Sequence, residues 1–108
     1  MIQKSDLFMM IYFQLDDVYK EVKDDEELRL YISDINPFVW KDGSSADPAM
    51  YIEFCEYIQS INEDDYGYND AINYLNTIND GKFIKYFKEI SKDEWIDWFK
   101  EYLKENYS

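Results

Sequence analysis

The sequence contains no histidine, one cysteine and only three glycines. Without histidine there can be no Ser-His-Asp or Cys-His arrangement, no histidine-based zinc site and no imidazole to act as a general base near neutral pH. A glycine-rich phosphate loop is equally excluded. Cys55 stands beside Glu56 on a predicted helix and is interpreted as buried or half-buried filler. We therefore predict a protein that is not an enzyme and has no cofactor or metal.

Basic residues are also missing from a long stretch, because residues 42–81 contain no Lys or Arg. Up to residue 81 there are 18 acids and 5 bases, which accounts for the whole net charge of -13, whereas 6 acids and 6 bases balance after it. Such a field repels nucleic acid and anionic membranes and attracts basic proteins. We predict a basic protein partner and no direct contact with nucleic acid, the alternative being a solvated surface that only confers solubility. The acids of this acidic tract (residues 42–81) are Asp42, Asp47, Glu53, Glu56, Glu63, Asp64, Asp65, Asp70 and Asp80.

The N-terminal region contains an apolar run, Leu7–Leu15, that is too short to span a bilayer. Asp16 and Asp17 follow it without a small-residue cleavage site, so it is not interpreted as a signal peptide. The single cysteine cannot form an internal disulfide, which suits a reducing compartment. These features predict a cytoplasmic protein that does not bind membranes.

The apolar residues recur at steps of three and four, which is the spacing of amphipathic helices. With 108 residues, of which 46% are hydrophobic and 19% aromatic, the chain can build one core without disulfides. We predict an all-α fold, a single-domain bundle of five to six helices over residues 1–108. The first helix would bury Leu7, Phe8, Ile11, Leu15, Val18 and Val22, with Ser5 as its N-cap.

Helix boundaries can be predicted from capping residues and prolines. Asp24 or Asp25 should begin a second helix that ends at Asn36-Pro37, since proline disfavours a helical residue before it. Asp47-Pro48 should begin a third helix, Tyr68 or Asn69 a fourth that stops near Gly81, and a capping box at 91–94 the last. The predicted buried positions of these helices are Leu28, Tyr31, Ile32, Ile35, Met50, Tyr51, Phe54, Tyr57, Ile58, Ile61, Ile72, Leu75, Ile78, Phe83, Tyr86, Phe87, Ile90, Trp95, Trp98, Phe99, Tyr102 and Leu103.

Pro37, Phe38, Val39 and Trp40 form an apolar corner between two helix ends. A chain reversal at that point favours side chains that close the end of the bundle. We therefore expect the rings to be buried, with a cost of about 3 kcal/mol or more for Trp40→Ala. The alternative is a groove for a partner, lined by Trp40.

The segment Glu63–Asp70, EDDYGYND, combines acids with two tyrosines. Carboxylates steer an encounter with a basic protein, and aromatic rings supply desolvated anchors. In the alternative interpretation this is a polar loop whose tyrosines pack back on the bundle. A calcium loop that begins at Asn62 fits poorly, because Tyr66 and Asn73 occupy ligand positions. The predicted partner-binding residues are Asp42, Asp47, Glu53, Glu56, Glu63, Asp64, Asp65, Tyr66, Tyr68 and Asp70, and reversal of Asp64, Asp65 and Asp70 to Lys should slow association without unfolding the chain.

Small, acidic, histidine-poor single-domain proteins of this kind resemble bacterial immunity proteins. The stretch Asn36–Phe54, NPFVWKDGSSADPAMYIEF, is similar in style to a pattern in small proteins of toxin-immunity loci. The resemblance implies a domain that occludes a toxin, such as a nuclease, by charge-steered binding without chemistry of its own. Two other interpretations stay open: a phage-type DNA mimic that inhibits a nuclease, and an adaptor or regulatory subunit that binds through an apolar groove near Trp40 or the Trp95/Trp98 helix.

Overall fold

The computed structural model describes residues 2–41 and 45–107. Within those ranges there are six α-helices and no β-strand, so the predicted all-α fold of five to six helices is confirmed. The Cα radius of gyration is 13.0 Å, as expected for a compact fold of about 100 residues. The helices are α1 (Lys4–Tyr19), α2 (Glu26–Ile35), α3 (Pro48–Tyr57), α4 (Tyr68–Thr77), α5 (Ile84–Phe87) and α6 (Lys92–Tyr107), with 3-10 segments at Glu63–Asp65 and Ile78–Gly81.

Helix α1 lies at the centre of the bundle, where α2, α3 and α5 pack against it. It is buried on more sides than the predicted face, because Met10, Tyr12 and Gln14 are buried as well as Leu7, Phe8, Ile11, Leu15 and Val18. Its predicted N-cap, Ser5, is wrong. The helix begins at Lys4 after Gln3, and the Gln3 backbone N–H donates to the Asp6 carboxylate over 3.1 Å.

Local capping chemistry explains the starts of α2 and α3. The Asp25 carboxylate accepts from the Leu28 backbone N–H at 3.0 Å, and the Asp47 carboxylate accepts from the Ala49 N–H at 3.1 Å. Both predicted starts are confirmed, as is the end of α2 at Ile35 before Pro37. All four predicted inward residues of α2 are buried, whereas only Phe54 is fully buried within α3.

Helix α4 ends earlier than predicted, at Thr77, and packs against α5 and α6. Three successive residues then have left-handed backbone angles: Asn79 (φ 48°), Asp80 (φ 57°) and Gly81 (φ 72°). This turn brings Phe83, Tyr86 and Phe87 into the core. Ala71, Tyr74 and Leu75 are the buried residues of α4, while the predicted Ile72 and Ile78 are half-buried.

The last helix, α6, begins at the predicted capping box, where the Glu94 N–H donates to Ser91 Oγ at 3.2 Å. Trp95 and Phe99 enter the core edge-to-face, with ring centroids 5.6 Å apart. Farther along, the hydroxyls of Tyr102 and Tyr107 donate to Asp6 Oδ1 at 3.2 and 2.8 Å. Since Asp6 is buried in α1, these bonds join the two ends of the chain.

Candidate binding surface

Most of the predicted partner-binding acids whose structure is described lie at the surface. Asp42 lies outside the described residues. Asp47 is exposed, although its carboxylate also caps α3. Glu53 and Glu56 are exposed three residues apart on α3, which is the spacing of one helix face. Glu63 and Asp64 are exposed at the start of the loop before α4.

Asp65 is different from its neighbour Asp64, because its side chain is only 6% exposed. Its carboxylate accepts from the Gly67 N–H at 3.1 Å and from the Asn69 N–H at 3.3 Å. These are backbone donors at the start of α4 that the helix itself cannot satisfy. Asp65 therefore closes the loop onto the helix, and a carboxylate buried in this way is poorly placed for the predicted contact with a partner.

The turn at residues 66 and 67 also has a structural cause. Both residues have left-handed backbone angles, with φ of 54° at Tyr66 and 74° at Gly67. A Cβ added at Gly67 would lie 3.0 Å from Leu7 Cδ1 and 3.1 Å from Ile61 Cγ2. Glycine is required here both by the angle and by the close approach of α1.

The two loop tyrosines pack back on the bundle, as the alternative interpretation held. Tyr68 Oη donates to the Ile90 carbonyl at 2.9 Å, and its ring lies 5.5 Å from that of Phe87. Burial raises the pKa of Tyr68. The ring of Tyr66 lies 5.8 Å from Phe99, and its carbonyl accepts from the Trp95 indole N–H at 3.0 Å. Neither ring is free to act as the predicted anchor without leaving these contacts.

Asp70 is half-buried, and its carboxylate accepts from the Asn62 N–H at 2.8 Å. That bond holds the first residue of the loop against α4. Reversal of Asp65 and Asp70 to Lys would remove these bonds, so the triple reversal is now expected to disturb the fold as well as association. Of this set, only Asp64 presents a carboxylate at the surface without such a capping role.

The apolar corner is exposed, which corrects the prediction that it closes the bundle. Phe38, Val39 and Trp40, here called the apolar tip, have exposed fractions of 63%, 53% and 51%. The residue that fills the bundle end is Pro37, which is buried. Sequence reasoning missed this because an apolar triplet between two helix ends has the same local pattern whether it points inward or outward.

The apolar tip is nevertheless held in place. The Phe38 N–H donates to Asn36 Oδ1 at 2.9 Å, and the Trp40 indole N–H donates to the Ala46 carbonyl at 3.1 Å. The Phe38 ring lies 6.0 Å from Tyr12 and 5.9 Å from Phe13, both on α1. The rings of Phe38 and Trp40 are thus held in place at the surface.

The described residues contain no group of three or more His, Cys, Asp or Glu that could hold a metal ion. None of the described helices is long and apolar enough to cross a membrane. Cys55 is half-buried, as predicted for filler. Burial, together with the neighbouring Cys55, raises the pKa of Tyr51 to about 12.

No protein-family model, curated protein or solved structure matches this chain.

Proposed function

We propose that this protein is a non-catalytic acidic binding protein that neutralises a basic partner, as an immunity protein blocks a bacterial toxin. The observation that supports the proposal is the acidic tract, residues 42–81, which contains no Lys or Arg. Four of its acids, Asp47, Glu53, Glu56 and Asp64, are exposed to solvent. The resemblance of Asn36–Phe54 to proteins of toxin-immunity loci points to the same role.

The mechanism is charge-steered occlusion. Exposed carboxylates attract a basic protein from a distance and raise its association rate, an effect that salt screens. Toxins that cut nucleic acid are themselves basic, so an acidic protein of this kind would cover the surface on which they bind their substrate. No reacting group is needed in the inhibitor.

Capture from the host lysate tests this proposal. The immobilised protein is exposed to lysate at low salt and eluted with a salt step, beside a matched variant carrying Glu53→Gln, Glu56→Gln and Asp64→Asn. We expect a stoichiometric basic protein to bind the parent and to be retained at least about tenfold less by the variant. When the eluted protein is re-bound, its toxic activity should be lost at a 1:1 ratio. Activity that persists in the complex would overturn the neutralising role.

An adaptor or regulatory subunit is a second candidate, and the exposure of the apolar tip favours it. Such a subunit would bind a partner through apolar contacts that salt does not weaken. A captured partner that survives the salt step, carries no toxic activity and is released by Trp40→Ser would favour this role over neutralisation.

A further inference from the structure

The apolar tip is unusual for a protein with a net charge of -13. Its three large side chains are each more than half exposed and adjacent in sequence. Single exposed apolar residues are common, but a contiguous set marks an interaction site. Because hydrogen bonds to Asn36 and Ala46 and ring contacts with α1 fix it, little conformational entropy is lost when a partner covers it.

Acidic residues lie in the segments that adjoin the apolar tip. Asp16 on α1 lies close enough to Tyr12 for its charge to raise the pKa of that phenol, after the larger effect of burial. Asp34, near the end of α2, accepts the Asp47 N–H on its backbone carbonyl at 2.9 Å. Asp47 in turn follows Ala46, whose carbonyl holds the Trp40 indole. Lys41, which directly follows Trp40, is an exposed basic residue beside the apolar tip.

A groove of about 320 Å³ lies along α2. Asp34 contributes an exposed carboxylate to its lining, Glu27 is paired with Lys82 at 2.8 Å, and Leu30, Tyr31 and Met50 supply apolar surface. Leu30 is itself 51% exposed. Asp34, which lines the groove, accepts the Asp47 N–H on its carbonyl, and the neighbouring Ala46 carbonyl holds the Trp40 indole. These two hydrogen bonds connect the groove to the apolar tip through residues 46 and 47.

We propose that the apolar tip and this groove form the docking site for a basic segment of a partner protein. Aliphatic side chains of that segment would cover Phe38, Trp40 and Leu30, while its Arg or Lys side chains pair with Asp34. This inference rests on the proposed function and names the surface that the basic partner covers. A second copy of the chain is disfavoured as occupant, because two surfaces of a -13 molecule repel each other.

The test uses defined peptides and the three tryptophan indoles as reporters. The ¹⁵N-labelled protein is titrated with a synthetic peptide of alternating leucine and arginine pairs, and separately with matched peptides in which serine replaces leucine or glutamate replaces arginine. We expect only the arginine–leucine peptide to shift the Trp40 indole signal and the amides of residues 30–41. The Trp95 indole, which is bonded to the Tyr66 carbonyl inside the fold, should stay unchanged as the internal control.

Variants assign the effect to the proposed residues. Phe38→Ser and Trp40→Ser should each weaken the arginine–leucine peptide at least about fivefold, as expected when an interface anchor is lost. Asp34→Asn should weaken it and flatten its salt dependence. Ile52→Ser, at an apolar side chain of α3 that is equally exposed, and Glu101→Gln on α6 are the matched controls and should leave affinity unchanged.

Four outcomes would overturn the docking site. Shifts confined to the amides of Glu53, Glu56 and Asp64 would show that the peptide binds at these acids and not at the apolar tip, in agreement with charge-steered binding. Equal shifts of the tip with the glutamate–leucine peptide would show that charge does not select the occupant. Tip signals that move with protein concentration alone would identify a second copy. Absence of tip shifts with any peptide would exclude this surface, whereas the proposed function is judged separately by inhibition of the captured protein.

Discussion

Adjacent carboxylates in this chain have different roles, and Asp64 and Asp65 are the clearest pair. Asp64 is exposed, whereas Asp65 is buried and accepts from two backbone N–H groups at the start of α4. Removal of this carboxylate leaves the Asn69 N–H without its acceptor, while the Gly67 N–H keeps its bond to the Asn62 carbonyl at 2.9 Å, and such a loss costs about 1–2 kcal/mol. Asp65→Ala should therefore lower the free energy of unfolding in urea by that amount, and Asp64→Ala should change it by less than about 0.5 kcal/mol. Equal effects would contradict the capping role.

The tryptophans differ in the same way. Trp95 is fully buried among aromatic rings, while Trp40 is half exposed and is held by one indole hydrogen bond. Trp95→Phe should lower the thermal unfolding midpoint clearly, because it leaves a cavity and an unpaired Tyr66 carbonyl. Trp40→Ala should cost no more than about 1 kcal/mol, the range of an exposed side chain with a single hydrogen bond. If thermal unfolding shows a drop in midpoint for Trp40→Ala as large as that for Trp95→Phe, the apolar tip stabilises the fold.

Among the helices, α2 could be predicted almost completely because everything that defines it is local. Its cap, its buried positions and the proline that ends it lie within 13 residues, from Asp25 to Pro37. The corner that follows could not be predicted, since its exposure depends on where α1 lies. The same limit applies to the loop before α4: the sequence indicates Gly67 as a bend, but burial of Asp65 follows from contacts made only after the bundle assembles. The exposure of the apolar tip and the burial of Asp65 were thus the two features that local sequence could not predict.

Helix α6 is fixed to α1 by a buried carboxylate that receives two phenol hydroxyls. Tyr102 and Tyr107 both donate to Asp6, whose other oxygen accepts from Gln3. Tyr107→Phe should increase amide hydrogen exchange in the last turn of α6 with little change in global stability, because the Tyr107 side chain is largely exposed. Tyr102→Phe should have the larger effect on stability, about 1–2 kcal/mol, since this residue is better shielded. Uniform protection of residues 103–107 in Tyr107→Phe would contradict this role.

At the scale of the whole molecule, alkaline pH should act on the tyrosines as a group. A hydrogen bond to the Asp25 carboxylate, followed by burial, raises the pKa of Tyr86 to about 12, and burial raises that of Tyr51 to about 12. The tyrosines of the unfolded chain titrate near pH ~10. Because the folded pKa values are higher, these groups stabilise the fold below pH ~10, and this stabilisation is lost as the pH rises towards 12. Tyr12, Tyr31, Tyr68, Tyr74, Tyr102 and Tyr107 shift in the same direction.

We therefore expect one cooperative loss of helix between pH 10 and 12, with tyrosinate absorbance rising in the same interval as the far-ultraviolet circular dichroism falls. Alkaline unfolding could be driven by repulsion among surface carboxylates or by ionisation of buried phenols. Repeating the titration at about 0.5 M salt distinguishes these causes, because salt screens the repulsion but does not change the burial of the phenols. The transition should move only slightly upward in salt. Tyr86→Phe removes one of the large upward pKa shifts and should make the decline with pH shallower. Tyrosinate formation well before helix loss would mean that the phenols ionise within the folded protein, contrary to the burial and carboxylate contacts described above.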